Sequence, residues 1–127
     1  MAKATRNISK PDPIFAAIEA HRKAEAAFSS AVKAADHGPK PHRNQKKLDA
    51  AVNVTDAAAE NAALAILDTK PTTIAGIVAV MEYAADHIQR GVRWPHLLQY
   101  PPKKYGETFE AGLFARLAKT LKKIGGR

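Results

Sequence analysis

The sequence predicts an all-α protein: an antiparallel up-down bundle of three long helices and a shorter C-terminal one. Three observations carry this. Apolar residues recur at three- and four-residue spacing along most of the chain, and alanine fills many of the positions between them. Proline, glycine and capping residues stand where those periodic stretches begin and end. No alternating run of useful strand length appears.

The first helix is expected over about residues 13–36. Asp12 is a good N-cap, and Pro13 suits the first helical position, where its missing N–H is not needed. Ile14, Ala17, Ile18, His21, Ala24, Phe28, Ala31, Val32 and Ala35 fall on one face, and Gly38-Pro39 ends the pattern. A basic, proline-containing connection over 37–47 follows. The second helix is expected over about 45–69 with Asn44 as its cap. Its stripe is Leu48, Val52, Thr55, Ala59, Ala62 and Ile66, widened by Val54, Leu64 and Leu67. Pro71 closes it, because residues before proline avoid the helical region.

The third helix, about 73–90, holds the most apolar run of the chain. Thr72 or Thr73 caps it, Gly91 stops it, and the spacing predicts an inward seam of Ile74, Ile77, Val78, Met81, Ala84, Ala85 and Ile88. Residues 92–106 have no clean period but contain Trp94, Leu97, Leu98 and Tyr100, so an ordered loop over one end of the core is expected. The fourth helix, about 108–124, turns Phe109, Leu113, Leu117, Leu121 and Ile124 inward before Gly125-Gly126. Residues 1–11 read as a disordered basic arm, 12–124 as one bundle domain and 125–127 as a tail. Short connections make successive helices antiparallel, so the first three should run up, down, up.

At 127 residues the chain can bury one core, and the absence of cysteine excludes disulfides and thiolate chemistry. The basic N-terminus lacks the apolar stretch of a secretory signal, and the apolar run over 74–81 is too short to cross a bilayer. A soluble, cytoplasmic protein with no membrane partner is expected. The net charge of +8 is segregated. Sixteen of the twenty Lys and Arg residues lie in 1–10, 37–47, 90–104 and 112–127, stretches without a single acid. The remainder, mostly the first three helices, is acidic on balance.

Asp12-Pro13-Ile14, Ala17-Ile18-Glu19-Ala20-His21-Arg22, Pro71-Thr72-Thr73-Ile74-Ala75-Gly76, Tyr83, Asp86-His87 and Trp94-Pro95 occur together in this order. Over about residues 12–121 the chain resembles a group of small helical proteins from alphaproteobacteria. The resemblance implies a helical fold and brings no activity, cofactor or site residue with it.

No metal, cofactor or catalytic set is expected. His21 lies on the apolar seam, and Glu60 and Glu82 could share its height in the bundle as a polar layer. Carboxylate-bridged metal bundles, however, place His three residues after Glu, and here Glu19, Glu25, Glu60 and Glu82 precede Arg22, Phe28, Ala63 and Ala85. Asp86-His87 sits where the helix dipole favours a histidine anyway. No nucleophile with a matching base and no phosphate-cradling glycine pattern is present, and the apolar start of the third helix cannot read DNA bases.

Two readings of function remain. The first is a non-enzymatic interaction or assembly protein that pairs with itself as a homodimer or with another protein. Phe15, Val54, Leu64 and Leu67 would be covered in such a contact if they lie outside the core. The alternative is an accessory nucleic-acid-binding protein without sequence specificity. It would use a basic end where the 37–47 and 90–104 connections meet: Lys40, Arg43, Lys46, Lys47, Arg90, Arg93, Lys103 and Lys104. His37, His42 and His96 would add to it, with Trp94, Tyr100 and Tyr105 for stacking. Against it, basic side chains also serve solubility, and aromatics between prolines commonly plug a bundle end.

Overall fold

The computed structural model describes residues 10–38, 40, 43–90 and 109–125, with the backbone alone for 109–112. The described residues form α1 (Pro13–Asp36), α2 (Gln45–Asp68), α3 (Ile74–Gln89) and α4 (Phe109–Gly125), with no strand among them. The all-α bundle and its helix order agree with the sequence reading. Residues 1–9 of the N-terminal arm expected over 1–11, the loop over 92–106 and the end of the tail lie outside the described residues, as do Pro39, Pro41 and His42.

Each helix start has a local cause. The Ile14 N–H donates to Asp12 Oδ1 at 3.1 Å, with Pro13 in the first turn. Asn44 caps α2 by position, without a side-chain bond to the first turn. Thr73 caps α3, its Oγ1 accepting the Gly76 N–H at 2.9 Å. After α1 the chain turns through Gly38 at φ 84°, the left-handed region in which a side chain is strained.

Three cross-links set the direction of α3. Asp12 bonds Thr73, His21 bonds Tyr83 and Glu25 bonds His87, so α1 and α3 run parallel and in step. At the far end of α1, Gln45 Nε2 of α2 donates to the Ala35 carbonyl, so α2 runs antiparallel to α1. The first three helices thus go up, down, up. Because His87 is level with Glu25, Arg90 stands near the height of Phe28. The α1–α2 hairpin therefore extends about 12 Å beyond α3, at ~1.5 Å per residue.

The core gathers at the lower end, where Ile14, Ile18, Ile66, Leu67, Ile77, Val80, Tyr83, Ala84, Leu113 and Leu117 pack together. The fourth helix closes this end against α2 and α3, and Arg116 anchors it by donating to the Leu67 carbonyl at 3.2 Å.

The inward face of α3 differs from the predicted seam. Gly76, Ile77, Val80, Tyr83, Ala84 and His87 are buried, whereas Ile74, Val78, Met81 and Ile88 are 45–56% exposed. The reason is chemical. Tyr83 and His87 have polar partners on α1, and Gly76 lets α3 approach Asp12 and Ile14 closely. Leu121, expected inward on α4, is 46% exposed, while Leu113 and Leu117 are buried as expected. On α2, Ile66 and Leu67 are buried and Val54 is exposed.

Candidate functional site

The cluster most able to do chemistry lies between α1 and α3. His21 and Glu25 are one turn apart on α1, and Tyr83 and His87 repeat that spacing on α3. Parallel, in-step packing brings the two pairs together. His21 and His87 are 3% and 1% exposed, and their ring centroids lie 5.7 Å apart.

Protons can be placed by chemistry. His87 Nδ1 is 2.9 Å from the Tyr83 main-chain carbonyl, which can only accept, so Nδ1 carries hydrogen. His87 Nε2 faces Glu25 Oε1 at 2.8 Å. Burial, and then the nearby Glu25 charge, push the Tyr83 phenol above its ordinary range. It stays protonated and donates to His21 Nδ1 at 2.7 Å. Burial pulls His21 below its ordinary 6.5, with Glu25 opposing and with His87 and Arg22 adding, so His21 accepts as the neutral ring. Tyr83 thus serves both histidines, one through its carbonyl and one through its hydroxyl. The Arg22 guanidinium covers the phenol face, 5.1 Å from the ring centroid.

The polar layer expected at His21, Glu60 and Glu82 does not form. Glu60 is half-buried on α2 and Glu82 is exposed. His21 gathers with Glu25 and His87 instead. Both residues had a legible signal, since two polar pairs at a four-residue step on parallel helices can face each other. What hid the match was the rotation assigned to α3, whose predicted seam left Tyr83 and His87 aside.

The candidate polyanion residues are only partly gathered. Lys40, Arg43, Lys46 and Lys47 are exposed at the tip of the α1–α2 hairpin. Lys40 donates to the Ala35 carbonyl and pairs with Asp36. Arg90 points the same way along the bundle but ends about two turns lower, and it pairs with Asp86 at 2.9 Å. Arg93, Lys103, Lys104, His96, Trp94, Tyr100 and Tyr105 lie outside the described residues.

Two further surfaces stand out. A groove of about 560 Å³ under α4, lined by Ile66, Leu67, Val80, Leu113 and Ile124, has Arg116, Lys119 and Lys123 along it and no histidine or acid among the described residues. An apolar face also runs outside α3 and α4. On α3 it comprises Ile74, Val78, Met81 and Ile88, and on α4 Phe114 and Leu121, which are 47% and 46% exposed.

Helical phase makes these two stripes neighbours. At ~100° per residue, Gly76, Tyr83 and His87 turn toward α1, while the stripe follows the opposite flank. On α4, Arg116 points to α2, and Phe114 and Leu121 lie on the other flank, toward α3. Beyond the α3 stripe stands Glu82, and beyond the α4 stripe stands Lys122, both exposed.

Comparison with models of known protein families, with curated proteins and with solved structures returns no match. No described helix is long and apolar enough to cross a membrane.

Proposed function

We propose that this chain is a helical assembly protein whose working surface is the exposed face shared by α3 and α4, and that this face pairs with a second copy of itself. The observation that carries the reading is the half exposure of Ile74, Val78, Met81, Ile88, Phe114 and Leu121, which helical phase puts on neighbouring flanks of α3 and α4. Together they present apolar surface on the order of 500 Å², near the upper end of what a lone protein exposes in one patch.

Charge favours a second copy as the occupant. The patch has an acidic edge at Glu82 and a basic edge at Lys122. A two-fold axis along the valley between α3 and α4 lays the α3 stripe of one copy on the α4 stripe of the other. It also sets each acidic edge against a basic one, the self-complementary arrangement that a closed dimer requires. A perpendicular axis would oppose like charges. Less supports the nucleic-acid alternative, since Lys40 and Arg90 are engaged with the ends of their own helices.

Light-scattering mass of the purified chain at micromolar concentration tests this. A dimer is expected, converted to monomer by Val78→Asp with Met81→Asp at unchanged helicity. Lys46→Gln with Lys47→Gln should leave the mass unaltered. A wild-type monomer, or a dimer indifferent to the α3 substitutions, overturns the reading.

A further inference from the structure

We infer that His21, Glu25 and His87 form a binding site for a single divalent transition-metal ion, zinc or a neighbour in its series. The inference is independent of the pairing face and rests on the contact between His87 and Glu25.

Fixing hydrogen on His87 Nδ1 leaves Nε2 a lone pair if the ring is neutral. That lone pair then points at a carboxylate oxygen 2.8 Å away. Two acceptors do not sit at this distance without a cation between or upon them. A proton satisfies the contact, giving an imidazolium–carboxylate pair. A metal ion satisfies it equally. Histidines that bind metals almost always donate their other ring N–H to a carbonyl, carboxylate or water, which fixes the ring and raises its basicity. The Tyr83 carbonyl does this for His87.

The remaining geometry suits the same ion. His21 Nδ1 is 3.9 Å from the same Glu25 oxygen, and one ligand atom from each of the three residues lies within 4.8 Å of the others. Tetrahedral bonds of about 2.0–2.1 Å place donor atoms roughly 3.4 Å apart. The 2.8 Å separation must therefore open and the 3.9 Å one close by about half an ångström each, and the two ring nitrogens, within 4.8 Å, must draw together by up to about 1.4 Å. In taking the ion, His21 Nδ1 gives up the hydrogen bond from the Tyr83 hydroxyl. Two imidazoles and a carboxylate form a borderline donor set that favours zinc, copper(II), nickel or cobalt over magnesium or calcium. The Glu25 side chain is 27% exposed while His87 is 1%, so the site has an entrance on the carboxylate side and a closed floor.

The test uses the full chain stripped of metal by chelation. Zinc binding is read by calorimetry, and cobalt(II) is read by its visible absorption, which is intense when the ion is four-coordinate. One ion per chain is expected, with a thermal stabilisation that chelator reverses. Glu25→Gln is the informative variant, because its amide N–H can donate to the His87 lone pair and keep the fold. It should retain wild-type helicity and melting behaviour without metal. Its affinity should fall by more than the roughly 10- to 100-fold that altering a hydrogen-bond partner of a ligand produces. His87→Gln should do the same, whereas His37→Gln should not. Absence of one-to-one binding, or binding that survives both Glu25→Gln and His87→Gln, overturns the site and assigns the contact to a proton.

Discussion

The Asp12 carboxylate takes hold of Thr73 twice, accepting its main-chain N–H at 3.0 Å and its hydroxyl at 2.6 Å across the junction of α1 and α3. The same side chain caps its own helix at Ile14 and accepts the Thr72 N–H at 3.0 Å. The starts of two parallel helices are thus pinned by one buried acid. Asp12→Ala removes a cap worth about 0.5–2 kcal/mol and strands donors at about 1–3 kcal/mol. A loss of about 2–4 kcal/mol in urea unfolding is expected. A loss no larger than that of an exposed cap would mean that α3 is held by its apolar packing alone.

Acid should reach this junction late. Burial by itself would raise the Asp12 pKa, but the Thr73 hydroxyl and the N–H groups of Ile14, Thr72 and Thr73 outweigh it and hold the carboxyl below its ordinary 3.8. The folded state therefore binds this proton more weakly than the unfolded chain. The contribution is fully present above pH 3.8 and disappears as pH falls through the depressed value. The stability difference between wild type and Asp12→Asn should accordingly be constant near neutrality and shrink in acid. A difference that stays constant down to the lowest foldable pH would show that the carboxylate is not the titrating partner.

Gly76 faces this acid directly. A Cβ there would lie 2.8 Å from Asp12 Cγ and 2.9 Å from Ile14 Cγ2, closer than such contacts normally come. Alanine ordinarily strengthens a helix by about 1 kcal/mol over glycine. Here Gly76→Ala should destabilise by about 1–3 kcal/mol, since the helices must separate or the carboxylate must leave Thr73. Calorimetric melting decides between the signs, and a stabilised variant would refute the close approach.

Helix existence and limits were legible because their causes are local. Asp12-Pro13, Thr73 and the Gly38 turn each act within a few residues of the boundary they set. The rotation of α3 was not legible from hydrophobic spacing. This helix carries apolar residues on two faces, and the face with more large aliphatic side chains is the one left outside. What turns it is polar: Tyr83 and His87 match His21 and Glu25 across 62 residues of sequence. Apolar periodicity identifies helices that have one greasy face. For a helix with two, the distant partner of each polar residue decides, and no window of sequence contains it.

Tyr83 tests that explanation. Tyr83→Phe keeps the ring and the carbonyl that orients His87 but leaves the buried His21 Nδ1 without its 2.7 Å donor. A loss of about 1–2 kcal/mol is expected with helicity unchanged. NMR of the histidine side chains should show His21 altered and the hydrogen on His87 Nδ1 retained. A His87 Nδ1 that loses its hydrogen bond in this variant would show that the hydroxyl, not the carbonyl, was fixing the ring.

The edges of the α3–α4 face offer a test that apolar substitutions cannot give, because charge can be exchanged as well as removed. In the proposed two-fold pairing the α3 edge that carries Glu82 on one copy faces the α4 edge that carries Lys122 on the other, twice per dimer. Glu82→Lys alone, or Lys122→Glu alone, sets like charges together at both edges and should weaken dimerisation several-fold, most visibly at low salt. The double variant restores opposite signs and should recover the wild-type dissociation constant. Wild type and both single variants should share one circular-dichroism spectrum, since both residues are exposed. Sedimentation equilibrium of the four proteins at two salt concentrations measures this. Recovery in the double variant assigns the edge pairing and the direction of the two-fold axis together, whereas additive weakening would rule out that axis and unchanged dimerisation in the single variants would place the second copy on a different face.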